Sequence, residues 1–536
     1  MKTNNENKYD KETLLFSAVF FMLLFCPVNS LYAKPSIETL NNFKTHCAEC
    51  HGEDRLGQMG PALLPENLQR LRKNLANDVI ENGRAATQMP GYRDKLNAAE
   101  IQMLVDYIYS PLPEVPIWNL TEINSTHIVH EHILNLPAIP VWDADPMNIF
   151  LVVELGDHHV SVLNGDSFEP IHRFKSRFSL HGGPKYSPDG RFVYFGSRDG
   201  WVTKYDIYNL EIVAEIRAGI NMRNVAVSSD GKYVLAGNYL PHTVVILDAE
   251  DLTPLKIIAV ENEDGKSSRV SAVYDAAPRK TFIVALKDLK EVWEITYEDK
   301  PPMGFGKWMH DYREGAGENA AQEHAKPIER FPVRKIKTEV YLDDFFFNQS
   351  YELIIGASRD KKARVLDFDL GRTISTLDLT GMPHMGSGIT WRYKGTTILA
   401  TPNLKEGEVS IIDMQNWKTI KRIKTLGPGF FMRSHENSPY AWVDVFFGPN
   451  KDAVHVIDKQ TLKIVKTIKP SPGKTAAHVE FDKDGKHALL SVWDMDGEVI
   501  VYDAKSLEEI KRIPMVKPSG KYNVYNKITR SEGTSH

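Results

Sequence analysis

The spacing of apolar residues along the chain changes near residue 111. Between residues 34 and 110 the apolar positions recur with helical spacing, which predicts short helices over 37–45, 63–82 and 97–109. Asn97 and Glu100 have the three-residue separation of a capping box, which marks the start of the last helix. Beyond the proline-rich stretch 111–117, a stiff linker, apolar and polar residues alternate and predict strands.

An internal repeat runs through the alternating part. Asp-Gly turns stand between predicted strands at 189–190, 230–231 and 484–485, and each is followed by a second strand that ends near an aspartate. Weaker copies begin near Ile149, Thr281, Tyr351, Thr396 and Ala441. About eight units of roughly 40–50 residues match the size of a four-stranded blade. We therefore predict a small all-α domain over 34–110 followed by an all-β eight-bladed β-propeller over 118–536.

One interval interrupts the repeat. Residues 301–337 form a polar, glycine-bearing insertion that contains His310 between aromatic residues. A long insertion in one blade is typical of a functional rim loop, so we predict a lid over a pocket. The alternative is a disordered surface loop.

The N-terminus has the pattern of an export signal. An apolar run at 14–25 follows Lys8 and Lys11, and it is short for a membrane-spanning helix. We predict that residues 1–33 are a removed signal peptide and that the mature protein is periplasmic. An uncleaved anchor is the alternative.

Length and charge narrow the function classes. The 536 residues exceed one ordinary core, and 42% hydrophobic with 25% charged residues is the composition of a soluble globular protein. The formal net charge is −5, so nothing in the balance favours nucleic acid as a partner.

The most specific motif is C-x-x-C-H, the attachment sequence of a c-type haem. Cys47 and Cys50 can each form a thioether with a haem vinyl group, and His51 can bind the iron from one face. Met89, in a Gln-Met-Pro turn, offers a sulfur for the other face, which raises the reduction potential. Met59 is the competing sulfur ligand. The alternative for the cysteines is a redox dithiol or half of a zinc site.

Four histidines lie in glycine-bearing or small-residue segments near the ends of predicted strands: His181, His384, His435 and His478. In such segments the backbone can approach a flat macrocycle and the imidazole can bind its iron. A lone loop histidine is more often a surface residue. Four at related positions in different blades favour a common site at the mouth of the propeller channel.

The chain resembles the cytochrome cd1-type nitrite reductases and the related heme d1 biogenesis proteins across nearly all of the predicted mature sequence. The resemblance rests on the order of the two domains and on the propeller segments 197–199, 222–225, 236–239 and 518–526. It implies that the propeller holds heme d1 or a close precursor.

The resemblance also implies roles for single residues. His181 matches the proximal iron ligand of the reductases, or is a vestige of it, and His384 matches one of their two distal histidines. Macrocycle contacts are implied for Arg198, Arg223, Asn224, Tyr239, Phe431 and Gly520. Heme d1 carries several carboxylates, for which guanidinium groups are suitable donors.

Departures from the reductases indicate the reaction. Asp343 stands where the reductases carry their second distal histidine, and a carboxylate there opposes binding and protonation of nitrite. His478 replaces a glutamine and adds a titratable base. The resemblance is therefore to the biogenesis group, in which a propionate of dihydro-heme d1 is oxidised to an acrylate. His478 and Tyr522 are the implied acid/base pair, and the c-type haem exports the electrons.

Two other functions stay open from the sequence. One is a cytochrome cd1-type nitrite reductase, and the other is a non-enzymatic carrier that transfers heme d1. The expected partners are the nitrite reductase, a NirF-like protein and a soluble electron acceptor.

Overall fold

The computed structural model describes residues 34–58, 60–68, 71–83, 89–114, 116–130, 136–299, 330–342, 344–357 and 363–529. Its α-helices are α1 (Ile37–His46), α2 (Ala48–His51), α3 (Pro65–Leu68), α4 (Lys73–Asn82), α5 (Ala98–Ile108), α6 (Leu120–Ser125) and α7 (Val524–Thr529). None of these helices is long and apolar enough to cross a membrane. The predicted signal peptide lies outside the described residues.

The first five helices enclose a small apolar core of their own, which includes Phe43, Ile80 and Leu104. The predicted capping box of α5 is confirmed, because Asn97 accepts from the Glu100 N–H while Glu100 accepts from the Asn97 N–H. The single helix predicted over 63–82 is wrong. The chain forms α3 and α4 instead, since Arg72 is extended and starts a second helix.

The propeller is confirmed as eight antiparallel sheets. Blade 1 consists of β33 (Pro518–Asn523), β2 (Ile149–Glu154), β3 (His159–Asn164) and β4 (Pro170–Lys175). Blade 2 consists of β5 (Lys185–Tyr186), β6 (Phe192–Gly196), β7 (Trp201–Asp206) and β8 (Glu211–Arg217), with β1 (Ile128–Val129) at its edge. Blade 3 consists of β9 (Asn221–Val227), β10 (Tyr233–Leu240), β11 (Thr243–Asp248) and β12 (Pro254–Ala259), and blade 4 of β13 (Val270–Ala276), β14 (Thr281–Leu286), β15 (Glu291–Thr296) and β16 (Val333–Lys337).

Blades 5 to 8 follow in chain order. Blade 5 consists of β17 (Asp344–Phe347), β18 (Leu353–Ala357), β19 (Ala363–Asp367) and β20 (Arg372–Leu377), and blade 6 of β21 (Ile389–Tyr393), β22 (Thr396–Pro402), β23 (Glu408–Asp413) and β24 (Thr419–Lys424). Blade 7 consists of β25 (Met432–Ser434), β26 (Tyr440–Asp444), β27 (Val454–Asp458) and β28 (Lys463–Ile468), and blade 8 of β29 (Ala476–Phe481), β30 (His487–Val492), β31 (Gly497–Asp503) and β32 (Glu509–Met515).

The ring closes through β33, which comes from the C-terminal end of the chain and pairs with β2 so that Tyr522 stands opposite Leu151. The Asp-Gly turns that predicted the repeat are present. Gly190, Gly231 and Gly485 have φ of 75°, 72° and 71°, a conformation that glycine adopts without steric cost. The first strand of each blade lies innermost and lines the channel.

The predicted insertion extends too far. Its last five residues, Val333–Lys337, form β16, the outer strand of blade 4. Their alternation is easily missed because three of the five are basic and only one is buried. Residues 301–329 of the insertion, with His310, lie outside the described residues.

The helical domain packs on blades 2 and 3 of its own propeller. Ala62 and Leu64 of the helical domain form a buried cluster with Ile220 and Leu240 of the propeller. Beside them Arg217, 5% exposed, donates to the Leu56 carbonyl at 2.5 Å and to the Gly57 carbonyl at 3.3 Å. The Gly57 N–H donates in turn to the carbonyl of His51. The propeller thus holds the loop that follows the C-x-x-C-H motif.

Candidate functional site

The C-x-x-C-H motif faces a cavity of about 750 Å³. Cys47, Cys50 and His51 line one side, and Met89 lines it as well, with apolar residues between them. A largely apolar cavity lined by two thiols and an imidazole fits a covalently bound c-type haem. A zinc site or a redox dithiol would not need such a space.

His51 is fixed in one tautomer. Its Nδ1–H donates to the Pro61 carbonyl at 2.7 Å, which leaves Nε2 as the basic nitrogen. Burial lowers the pKa of His51, so the ring is neutral and able to bind iron. Gly60 has to be glycine here, because a β-carbon on it would lie 2.9 Å from Cε1 of the ring.

Met89 belongs to a tightly packed turn. Gly83 has φ of 74°, and a β-carbon on it would lie 2.7 Å from the Met89 carbonyl, so the turn rests directly on the end of α4. The Tyr92 hydroxyl donates to the His46 carbonyl at 2.6 Å and ties this turn to α1. Met59 lies outside the described residues. The assignment of Met89 as iron ligand therefore stays a prediction.

The haem c cavity continues onto the rim of the propeller. Its far wall includes Ser179, His181, Arg198, Asn221 and Tyr239. The covalent haem site and the predicted macrocycle contacts of blades 2 and 3 thus share one space.

His181 has the same tautomer as His51. Its Nδ1–H donates to the Arg223 carbonyl at 2.7 Å. Nε2 accepts from Nη2 of Arg198 at 2.8 Å and from Nη1 of Arg223 at 3.1 Å. The structure therefore engages this nitrogen with guanidinium groups, and iron ligation by His181 would require both arginines to turn away.

The other predicted contacts of these two blades are close by. The guanidinium of Arg198 lies 5.8 Å from the ring centroid of Tyr239. Asn224 has a different task, because its amide donates to the Val273 carbonyl at 2.8 Å and accepts from the Val273 N–H at 3.1 Å. These bonds join blades 3 and 4, so the contact predicted between Asn224 and the macrocycle gains no support.

His384 is held by hydrogen bonds of both its ring and its backbone. Its Nδ1–H donates to the Phe430 carbonyl at 2.6 Å, which again leaves Nε2 as the basic nitrogen. Its backbone N–H donates to Pro402 at 2.8 Å, and its carbonyl accepts from the Thr401 hydroxyl at 3.0 Å. A backbone carbonyl behind Nδ1 is the usual support of an iron-binding histidine.

His478 differs from His181 and His384 in its backbone conformation and in its hydrogen bond at Nδ1. It interrupts the pairing of β29 with β30 as a bulge, with φ of 58°. Its Nδ1 accepts from the Lys521 N–H at 3.4 Å, so it does not donate to a carbonyl. Burial, and next the charge of Lys521, hold the pKa of His478 well below its usual value. His478 is thus a neutral imidazole whose tautomer is only loosely fixed.

Tyr522 lies beside His478, with the two ring centroids 5.3 Å apart. Burial raises the pKa of Tyr522 to about 12, so it keeps its phenolic proton at neutral pH. Gly520 must be glycine because a β-carbon would collide with the Tyr522 hydroxyl. Gly183, two residues after His181, packs on the same ring.

Aromatic rings connect these positions around the rim. The ring centroid of His384 is 4.3 Å from that of Phe430, which is 4.5 Å from that of Phe431. Phe431 is 4.9 Å from His478. The structure therefore brings His384, Phe431, His478 and Tyr522 together, next to the His181 loop.

His435 does not join this group. It is fully buried and packs under the Asp-Gly turn of blade 8, where its Nδ1 accepts from the Asn437 N–H at 3.1 Å. That turn is at the far end of β29 from His478. The prediction that all four histidines share one site is wrong for His435. Asp343 lies outside the described residues.

A set of buried charged residues beneath the rim was not predicted from the sequence: Arg433, Asp444, Glu480 and Lys521. Arg433 pairs with Glu480 at 3.5 Å. The Nζ of Lys521 donates to the His478 carbonyl and, at 2.8 Å, to the Ser491 hydroxyl. Lysine and glutamate are almost never fully buried without partners. Charged residues at inward-facing strand positions were therefore the one signal in the sequence for this set, and it could be recognised only once the strands were known.

The comparisons with known proteins agree with this geometry. Residues 144–312 and 322–527 match the family model "Cytochrome D1 heme domain". The chain belongs to the cytochrome D1 heme-domain family. Residues 40–108 of this family member match "Cytochrome C oxidase, cbb3-type, subunit III". The predicted c-type haem and the heme d1-type propeller are confirmed at this level.

Relatives within the cytochrome D1 family include enzymes of two kinds. The chain is 51% identical over 495 residues to "Dihydro-heme d1 dehydrogenase" of Pseudomonas aeruginosa, with 92% of this chain and 95% of the relative covered. A solved structure, "Dihydro-heme d1 dehydrogenase NirN in complex with DHE", matches with a TM-score of 0.84 at 51% identity, over 92% of this chain and all of that one. "Nitrite reductase" of Stutzerimonas stutzeri is 24% identical over 90% of this chain and 91% of its own length.

Proposed function

We propose that this protein is a dihydro-heme d1 dehydrogenase that oxidises a propionate of its substrate to an acrylate and passes the electrons to its own haem c. The observation that carries the proposal is the contrast between two imidazoles that the rings of Phe430 and Phe431 connect. His384 has the tautomer of an iron ligand. The ring of His478 packs on Phe431, and its Nδ1 accepts a hydrogen bond instead of donating one.

The reaction sets clear demands on the site. Conversion of –CH2–CH2–COO⁻ to –CH=CH–COO⁻ breaks two C–H bonds, forms a C=C bond and releases two protons and two electrons. The protein must therefore hold the macrocycle, accept a proton beside it and provide an electron outlet. The covalent haem, when bound, accepts electrons one at a time and delivers them to an external acceptor.

His384 binds the substrate's iron through Nε2, and Arg198 and Arg223 bind carboxylates of the macrocycle. Both guanidiniums contact Nε2 of His181 at 3.1 Å or less. A bound carboxylate would compete for the same donors. We propose that His181 orients these arginines and is not an iron ligand.

His478 accepts the first proton. Its neutral form is the one that a general base needs, and its loosely fixed tautomer can place the proton on Nδ1 and leave Nε2 to accept. Only the 3.4 Å contact from Lys521 is lost in that change. Tyr522, still protonated at neutral pH, serves as hydrogen-bond donor and relays protons to solvent.

The location and the protein partners are part of the proposal. A covalent c-type haem and the N-terminal apolar run at 14–25 support a periplasmic protein. We propose that the product passes to a cytochrome cd1 nitrite reductase, that a NirF-like protein acts in the same pathway, and that a soluble one-electron acceptor reoxidises the haem.

Mass spectrometry of the pigment tests the function directly. The purified protein is mixed with dihydro-heme d1 and a one-electron acceptor, and we expect a product lighter by two hydrogens. Unchanged pigment that stays tightly bound would favour a carrier. Rapid turnover of nitrite by the protein loaded with heme d1 would favour the reductase.

A further inference from the structure

Asp444 is the last residue of β26, and only 1% of its surface is exposed. Its Oδ1 accepts from the Phe430 N–H at 2.7 Å and from the Phe431 N–H at 3.0 Å. Its Oδ2 accepts from the His478 N–H at 3.4 Å. One buried carboxylate thus holds three backbone N–H groups in two separate segments.

Each of these segments carries a part of the proposed chemistry. The carbonyl of Phe430 is the group that accepts the Nδ1–H of His384 at 2.6 Å. The ring of Phe431 packs on the ring of His478 at 4.9 Å. His478 itself needs support, because a histidine at φ of 58° in a strand bulge does not hold that conformation by backbone preference alone.

We propose that Asp444 is a positioning residue that couples the iron ligand His384 to the proton acceptor His478. This inference rests on the proposed function. Asp444 touches neither imidazole, and it acts by fixing the Phe430 carbonyl on one side and the His478 backbone on the other.

A carboxylate is the group that this geometry requires. Once ionised, above its raised pKa of about 7, Asp444 accepts through both oxygens, whereas asparagine of the same shape accepts through one and presents an N–H₂ donor on the other side. In Asp444→Asn at least one backbone N–H must therefore lose its acceptor, in a place that water does not reach. Either the Phe430–Phe431 turn or the His478 bulge shifts, and the distance between the two imidazoles changes.

The test is Asp444→Asn in the full-length protein with haem c attached. The control is Asp452→Asn, which alters another buried carboxylate of blade 7, in the loop between β26 and β27, that accepts a backbone N–H from Gly473 at 3.1 Å. We expect Asp444→Asn to bind dihydro-heme d1 within about threefold of the wild type. Conversion should fall roughly 10–100-fold, the scale of a displacement of about 1 Å. The absorption bands of bound dihydro-heme d1 should also shift, because the support of His384 has changed. Asp452→Asn should show none of these effects.

A second variant separates coupling from simple loss of structure. If Asp444 affects conversion through His478 and the spectrum through His384, adding Asp444→Asn to His478→Gln should leave the remaining conversion unchanged but still shift the pigment spectrum. An unshifted spectrum and conversion within twofold of wild type would overturn the inference. Should Asp444→Asn fail to fold, Asp444→Ser, which is smaller and can accept one N–H, must give the same two changes.

The outcomes also distinguish this inference from the proposed function. Full conversion by His478→Gln would remove the base and with it the reaction as proposed. Loss of conversion in His478→Gln together with a normal Asp444→Asn would remove only the positioning role.

Discussion

The two iron sites of this protein orient their histidines alike, but different parts of the chain build them. His51, His181 and His384 all donate Nδ1–H to a backbone carbonyl at 2.6–2.7 Å. The carbonyl behind His51 comes from the same short helical domain. The one behind His384 comes from the next blade. The covalently attached haem has its two thiols and its imidazole in one short segment of the chain, whereas a pigment that enters and leaves needs donors from several blades.

The difference predicts that the propeller site can lose conversion of the pigment while it still binds the pigment. His478→Gln should bind dihydro-heme d1 normally and convert it roughly 10²–10⁴-fold more slowly, the usual contribution of a positioned general base. Single-turnover conversion followed by mass spectrometry measures this.

His384→Ala should affect binding of the pigment, which His478→Gln leaves unchanged. It should weaken binding and change the pigment's absorption spectrum, because it removes the proposed iron ligand. Full activity in His478→Gln would transfer the base role to Tyr522.

The haem c site could be predicted from the sequence more completely than the propeller site, because its residues are adjacent in the chain. Cys47, Cys50 and His51 are adjacent in the chain, so their motif alone predicts a haem, and the Asp-Gly turns predict blades because each hairpin is local. His435 looked like the other loop histidines. Only the position of its segment along the blade places it at the far end, under the turn of blade 8.

Asp444 could not have been distinguished from the sequence. Asp206, Asp248 and Asp503 also end strands, and each accepts the N–H of the second residue after it. Asp444 ends β26 at the rim, so its carboxylate meets the Phe430 loop and His478 instead. That meeting joins two consecutive blades and depends on how they pack together, which no local pattern contains.

The haem c site can be changed without touching the propeller. Met89→Ala should keep the haem attached through Cys47 and Cys50 but lower its reduction potential by on the order of a tenth to a few tenths of a volt, within the roughly 0.8 V that axial ligands span. Redox titration at the haem c absorption bands measures the change. An unaltered potential would assign the iron to Met59.

Asp444 should also make stability depend on pH. Burial raises its pKa from 3.8 to about 7, so between those values the folded state binds a proton that the unfolded state has lost. Stability from this group is therefore fully present below pH 4 and declines as pH rises towards 7, by up to about 4 kcal/mol.

Asp444→Asn cannot ionise, so its unfolding free energy should lack this decline. The measurement is denaturant unfolding of wild type and variant between pH 4.5 and 7.5, monitored by tryptophan fluorescence. A constant difference across that range would show that the carboxyl does not titrate there.

The smallest effect is expected where the two regions meet. Arg217 also donates to the Asp199 carbonyl at 2.8 Å and lies 4.8 Å from the ring of Trp118, just after the linker. Arg217→Met keeps the apolar stem but leaves the Leu56 and Gly57 carbonyls without this donor, at about 1–3 kcal/mol. We expect faster proteolysis within 111–117 and slower reduction of haem c by the substrate, with an unchanged haem c potential. Arg512→Met, on the outer strand of blade 8, is the control. If cleavage and electron transfer match that control, the apolar cluster around Ala62 and Ile220 alone joins the domains.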